Sequence, residues 1–139
     1  YSMLNKNSGV SGGSGVSSDM RDIEEKVKEG HRQATLALEM FTYRIKKYIG
    51  AYMAAMNGVD LIIFTGGIGE RDRNARKGVL ENMENLGIKF DAKANQEAFG
   101  TFGVISAADS KIKVMVVPTN EELEIAEQTV AVFKNSKNH

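Results

Sequence analysis

An α/β fold, with strands alternating with helices, is what this sequence of 139 residues predicts. Two apolar runs are too short for a core helix and read as strands: Val59-Asp60-Leu61-Ile62-Ile63-Phe64-Thr65 and Ile112-Lys113-Val114-Met115-Val116-Val117. Residues 33–57 and 73–86 instead repeat apolar side chains at three- and four-residue steps, the period of a helix with one buried face. Fourteen glycines against a single proline supply the breaks between these segments.

In chain order, residues 1–18 form a Gly/Ser-rich stretch that reads either as a flexible linker or, because Leu4, Val10 and Val16 interrupt it, as an ordered loop packed against a ligand. Residues 19–139 read as the α/β body. Ser18 or Asp19 can cap a short amphipathic helix carrying Ile23 and Val27, which Gly30 ends. The long helix of residues 33–57 should face the core with Leu38, Phe41, Ile45, Tyr48, Ile49, Tyr52, Met53 and Met56. At this spacing Tyr43, Tyr48 and Tyr52 read as packing rather than as an aromatic ligand box, and His31 reads as a surface residue. Asn57-Gly58 stops the helix, and the apolar run after it reads as a buried, parallel strand. Residues 73–86 predict a second amphipathic helix with Val79, Leu80, Met83 and Leu86 inward, stopped by Gly87. Short strands are expected at Ile88-Lys89-Phe90 and Gly103-Val104-Ile105-Ser106, with a helical turn over residues 92–98 between them. The Ile112 strand ends at Pro118, and Thr119 with Glu122 forms a capping box for a last helix through Leu123, Ala126, Val130 and Phe133.

Composition narrows the function. Eighteen basic and eighteen acidic residues cancel, so no net field draws the chain to nucleic acid or to an anionic membrane. The absence of cysteine removes disulfides, thiolate nucleophiles and Cys-ligated metals, and fits a reducing, cytoplasmic setting. No apolar run approaches the roughly 20 residues of a membrane helix, so a soluble protein is expected.

The segment Thr65-Gly66-Gly67-Ile68-Gly69-Glu70, between a strand and a helix, carries the chemistry. Ligands of α/β sheets bind at the carboxyl ends of strands. Glycines there permit positive φ, leave room for close approach and let amides point at an anion. The spelling fits neither a dinucleotide fingerprint, because Asp72 stands where the third glycine belongs, nor a P-loop, because no Gly-Lys-Ser/Thr occurs.

Four segments in this order resemble the acetate kinase family: Leu4-Asn5-Lys6 with Ser8-Gly9-Val10; Ser14-Gly15-Val16-Ser17-Ser18-Asp19-Met20-Arg21-Asp22; Phe64-Thr65-Gly66-Gly67-Ile68-Gly69-Glu70; and Pro118-Thr119-Asn120-Glu121-Glu122. The resemblance implies the carboxyl-terminal lobe of a phosphotransferase of the actin, hexokinase and Hsp70-like superfamily, with an incomplete sheet. It also implies transfer of the ATP γ-phosphoryl to acetate, reversibly, giving acetyl phosphate and ADP with Mg²⁺. Carried over motif by motif, Asp19, Met20 and Arg21 line the nucleoside pocket. Gly66, Gly67, Ile68, Gly69, Glu70 and Arg71 contact the nucleotide, and Glu121 serves the magnesium, with Glu122 as the fallback. Arg71 stands where the family usually has Asn, which changes the contact made there because arginine has no acceptor.

The chain begins at Tyr1 and is well under half the usual length of a family member, so it reads as a fragment of a longer enzyme, whether natural or made. The family's acetate-binding and transition-state residues would precede Tyr1, and the 139 residues alone should show no turnover. An unpaired sheet edge is expected where strands are missing. A homodimer built through this lobe is implied. A propionate or butyrate kinase of the same superfamily, and a silent ADP-binding or assembly module, are the alternatives.

Overall fold

The computed structural model describes residues 9–120. The last predicted helix, with Glu121 and Glu122, lies outside the described residues. Helices α1 (Gly9–Ser14), α2 (Met20–Lys28) and α3 (Arg32–Ala55) come first. Strand β1 (Leu61–Phe64), helices α4 (Gly66–Arg71) and α5 (Arg73–Leu80), a 3-10 turn at Glu84–Leu86, helix α6 (Ala92–Glu97), and strands β2 (Gly103–Val104) and β3 (Lys113–Val116) follow.

The sheet has the order β1-β3-β2. β1 runs parallel to β3, Leu61 opposite Lys113 and Phe64 opposite Val116, and β2 is antiparallel to β3 with Val104 opposite Met115. Among the described residues β1 is therefore a sheet edge, as the expected incomplete sheet requires. Of the predicted Ile88-Lys89-Phe90 strand only a single bridge survives, Phe90 to Ser106.

Period-two alternation places Val114 and Val116 on the inner face, fully buried, with Ile62 and Phe64 partly buried beside them. They pack on Leu80, Met83, Ile88 and Ile105 and on Ile49 and Met53 of α3. Burying each such side chain is worth about 1.5–3 kcal/mol. Among the described residues the opposite face is uncovered, Leu61 and Ile63 being exposed, so β1 is not the strand buried on both faces that its apolar run suggested.

Helix ends follow local chemistry. Asp19, rather than Ser18, caps α2, accepting the Arg21 N–H at 2.9 Å. Gly30, at φ +80°, closes that helix. His31 is exposed yet not idle, since its Nδ1 accepts the Ala34 N–H at 3.2 Å and so caps α3. Asn57 and Gly58 both take positive φ, and the Gly58 N–H returns to the Met53 carbonyl at 2.7 Å, ending α3 where the sequence predicted.

Four expectations need correction. Part of the Gly/Ser stretch is helix α1, which packs on α3 with Gly13 close to Ala37, and its Ser14 is fully buried. The helix expected over residues 73–86 breaks after Leu80, because Asn82 turns to φ +58° so that Met83 enters the core, and Leu86 is left exposed. Tyr43, Tyr48, Tyr52 and Met56 are exposed as well. Helices α1, α2 and α5 pack on α3 elsewhere, and no described residue covers these four side chains. Finally, the glycine segment is not an open turn but a short helix, α4.

Candidate functional site

At the carboxyl end of β1, segments distant in sequence converge on one cavity of about 920 Å³. That lies within the range of small-molecule pockets, about 300–1,000 Å³. Asp19, Met20 and Arg21 form one wall at the start of α2; Gly67, Ile68, Glu70 and Arg71 of α4 form another. Ser18, Glu24, Asp72, Phe99, Thr119 and Asn120 complete it. Gly66 and Gly69 do not line the cavity.

Their roles lie behind it. Gly66 sits at φ +72° at the strand-to-helix corner, and its N–H donates to Glu70 Oε1 at 2.9 Å, so this amide is committed within the protein. Gly69 is needed for packing: a β-carbon there would lie 3.2 Å from the Phe64 carbonyl carbon. Gly67 has neither constraint, with nothing within 4 Å of a β-carbon and an ordinary φ. It faces the cavity together with Ile68 at a helix start, where backbone N–H groups have no acceptor inside the helix.

Glu70 is buried, and its carboxylate is taken by the protein itself. Besides Gly66 N–H, its Oε1 accepts the Thr119 N–H and the Thr119 hydroxyl, each at 2.8 Å. These donors, Thr119 N–H foremost, hold its pKa below the usual carboxylate value. Glu70 thus ties α4 to the segment entering Glu121; it orients the wall rather than reaching out to a ligand. The same geometry engages the Thr119 hydroxyl with Glu70, whereas its expected partner in a capping box, Glu122, is outside the described residues.

Arg21 projects into solvent, its side chain 88 % exposed, and pairs with Asp19 at 2.6 Å. The Arg21 guanidinium and its backbone N–H hold the Asp19 carboxyl at about 2. Arg71 is also exposed, its chain passing over Gly100. Two cations therefore stand at the rim of a cavity that also has apolar surface from Met20, Ile68 and Phe99. The Arg73 guanidinium lies 4.4 Å from the centre of the Phe99 ring and braces it.

Behind this wall lies Arg76, fully buried. Its Nη1 donates to the Gly69 carbonyl at 2.8 Å, its Nε to Asn95 Oδ1 at 2.7 Å, and its Nη2 to the Asn95 and Ala98 carbonyls at 3.1 and 2.6 Å. It clamps the carboxyl end of α4 to α6. Sequence reasoning missed Arg76, Glu24, Asp72 and Phe99. Only Asp72 carried a local signal, an N-cap residue three positions before Ala75, whose N–H it accepts at 2.7 Å.

The acetokinase family model matches residues 1–127. The chain belongs to the acetokinase family. It is 54 % identical over 132 residues to the acetate kinase of Porphyromonas gingivalis, covering 95 % of this chain and 33 % of that protein. Against the acetate kinase of Thermoanaerobacter pseudethanolicus it is 53 % identical, covering 97 % of this chain and 34 % of the relative. Among solved structures, the crystal structure of Porphyromonas gingivalis acetate kinase superposes with a TM-score of 0.86 at 52 % identity, over 95 % of this chain and 33 % of that one. A propionate kinase from Francisella tularensis gives a TM-score of 0.78 at 39 % identity, over 90 % and 31 %. The chain thus spans about a third of the length of the acetokinase relatives it matches. Among the described residues no helix is long and apolar enough to cross a membrane.

Proposed function

We propose that this chain supplies the nucleotide-binding lobe of a cytoplasmic ATP:acetate phosphotransferase, moving the γ-phosphoryl between ATP and acetate. The observation that carries this reading is the convergence of the Asp19–Arg21 segment, the Gly67–Arg71 segment and Thr119-Asn120 on one cavity in a member of the acetokinase family. The apolar and aromatic surface of Met20, Ile68 and Phe99 suits a nucleobase, and the rim cations Arg21 and Arg71 suit polyphosphate.

Phosphoryl transfer depends on positioning and on neutralising charge. In this reading the chain holds the nucleotide, Gly67 allows its close approach, and Glu70 with Arg76 fixes the wall. The acetate-binding and transition-state groups belong to parts of the enzyme outside these 139 residues, and the chain alone turns over no acetate. Among the described residues no group of three or more His, Asp or Glu could hold a metal. The proposed Mg²⁺ ligand is Glu121, or Glu122 in its place, directly after the cavity residues Thr119 and Asn120. Magnesium retains waters and needs few protein carboxylates, so one glutamate suffices. Bound there with the nucleotide, the ion would offset phosphate charge.

Calorimetric titration of the chain with Mg²⁺–ADP tests the site, using Gly67→Val as the variant. Position 67 has room for a side chain without strain, so the variant should fold and lose binding. Equal affinity in the folded variant would overturn the assignment. A second reading, a propionate or butyrate kinase, is favoured by the likeness to the Francisella tularensis propionate kinase. Relative rates with acetate, propionate and butyrate on the full-length enzyme decide between them.

A further inference from the structure

Glu24 and Asp72 meet on the wall of the cavity, one from α2 and the other from the N-cap of α5. Asp72 is 6 % exposed. Its Oδ1 accepts the Ala75 N–H, but its buried Oδ2 receives no hydrogen bond from a protein donor. Glu24 is half-buried on the same wall, and its Oε1 accepts from Asn74 Nδ2 at 3.0 Å, two residues beyond Asp72, which sets the Glu24 and Asp72 carboxyls side by side. Two neighbouring carboxylates repel when both are ionised, and a buried oxygen with no donor is itself costly. One proton between the two groups removes both penalties.

We infer that protonated Glu24 donates its O–H to the buried Oδ2 of Asp72, and that this bond is a latch holding the Asp19–Arg21 wall of the cavity against the Gly67–Arg71 wall. Both are positioning residues. The latch joins α2 directly to the N-cap on which α5 begins, one residue after Arg71, so its release would let the two walls part.

The charges facing the pair are Lys28 from α2 and Arg76 from α5. Burial first, and Asp72 second, push the Glu24 pKa up from 4.5, while Asn74 and Lys28 oppose the rise. The folded value exceeds the unfolded one. The latch therefore stabilises fully below about 4.5, and its contribution is lost as pH rises through the raised folded value.

Carboxyl-carbon NMR titration of the 139-residue chain tests the latch without any nucleotide. Glu24 should titrate above the ordinary glutamate range, and in Asp72→Asn, where the side-chain amide can donate to ionised Glu24, its titration should move down. An ordinary Glu24 titration, unmoved by Asp72→Asn, overturns the latch. Positioning is tested by ADP affinity against pH, and only this consequence rests on the nucleotide reading. The wild-type chain should lose affinity several-fold as Glu24 ionises, Glu24→Gln should bind with no such pH dependence, and Glu24→Ala should bind weakly throughout. A Glu24→Gln profile identical to wild type overturns the positioning role. A chain with the raised titration that binds ADP at no pH refutes the nucleotide reading and leaves the latch standing on the NMR result.

Discussion

Glu70 and Arg76 show how single side chains hold a glycine-rich segment that has little helical tendency of its own. Glycine costs about 1 kcal/mol relative to alanine in a helix, and α4 begins with two glycines and has a third at its fourth position. The Glu70 carboxylate compensates by binding the N–H of Gly66 and both donors of Thr119. Replacing it by alanine leaves part-buried N–H groups unpaired and should destabilise the chain by about 1–3 kcal/mol. Because the folded pKa is depressed, the carboxylate's contribution is complete above the ordinary value of 4.5 and is lost as pH falls through the folded value. Urea unfolding of wild type and Glu70→Gln should therefore differ most near neutrality and converge in acid; a gap that is constant down to low pH would refute this. Arg76 works from the other end of α4. Arg76→Met would leave the Gly69, Asn95 and Ala98 carbonyls without this donor in a buried place, for a loss of about 3 kcal/mol or more in urea unfolding. Arg76→Lys should recover only part, since an ammonium cannot reproduce the planar fork.

Helices α3 and α5 approach closely at Gly78. A β-carbon there would lie 3.0 Å from Thr42 Cγ2 and 3.1 Å from Oγ1. Thr42 is buried, and its hydroxyl is engaged with the Leu38 and Glu39 carbonyls, so it yields poorly. Gly78→Ala should gain about 1 kcal/mol of helix propensity yet lose more to overpacking, typically about 1–3 kcal/mol. In the double variant with Thr42→Ala the clash is gone. Chemical denaturation of the four-member cycle should then give a favourable coupling of about 1 kcal/mol; strict additivity would show that the contact carries no strain. These elements also show what could be read from sequence. Strands β1 and β3, the extent of α3 and its Asn57-Gly58 stop were legible because periodicity and punctuation are local. The helical form of α1 and α4 was not, because both depend on partners far along the chain, α3 for one and Thr119 and Arg76 for the other. The cavity was legible where its residues belonged to motifs, Asp19–Arg21 and Gly67–Arg71. Glu24, Asp72 and Phe99 join only after α2, α5 and the loop beyond α6 converge, and no local pattern announces that.

At the scale of the molecule, the second half of α3 is the largest departure from expectation. Tyr48 and Tyr52 stack with ring centroids 6.4 Å apart, and they are 53 % and 61 % exposed, with Met56 at 60 %. Their helical spacing is that of a buried face, yet no described residue covers them. On the sheet, Ile63, Met115 and Val104 lie side by side across the three strands, and Ile63 and Val104 are exposed. Apolar patches of this kind mark association surfaces, and we propose that the homodimer implied by the family resemblance forms through α3. A two-fold interface would set the tyrosines of one α3 against those of its partner, so one substitution acts twice. Sedimentation of the chain should show concentration-dependent dimers, and Tyr52→Glu should shift them to monomer by placing two like charges at the axis. Because Tyr52 is exposed, its thermal stability at low concentration should change by no more than about 0.5 kcal/mol. A dimer that survives both Tyr48→Glu and Tyr52→Glu would exclude α3 and direct attention to Ile63 and the open face of the sheet.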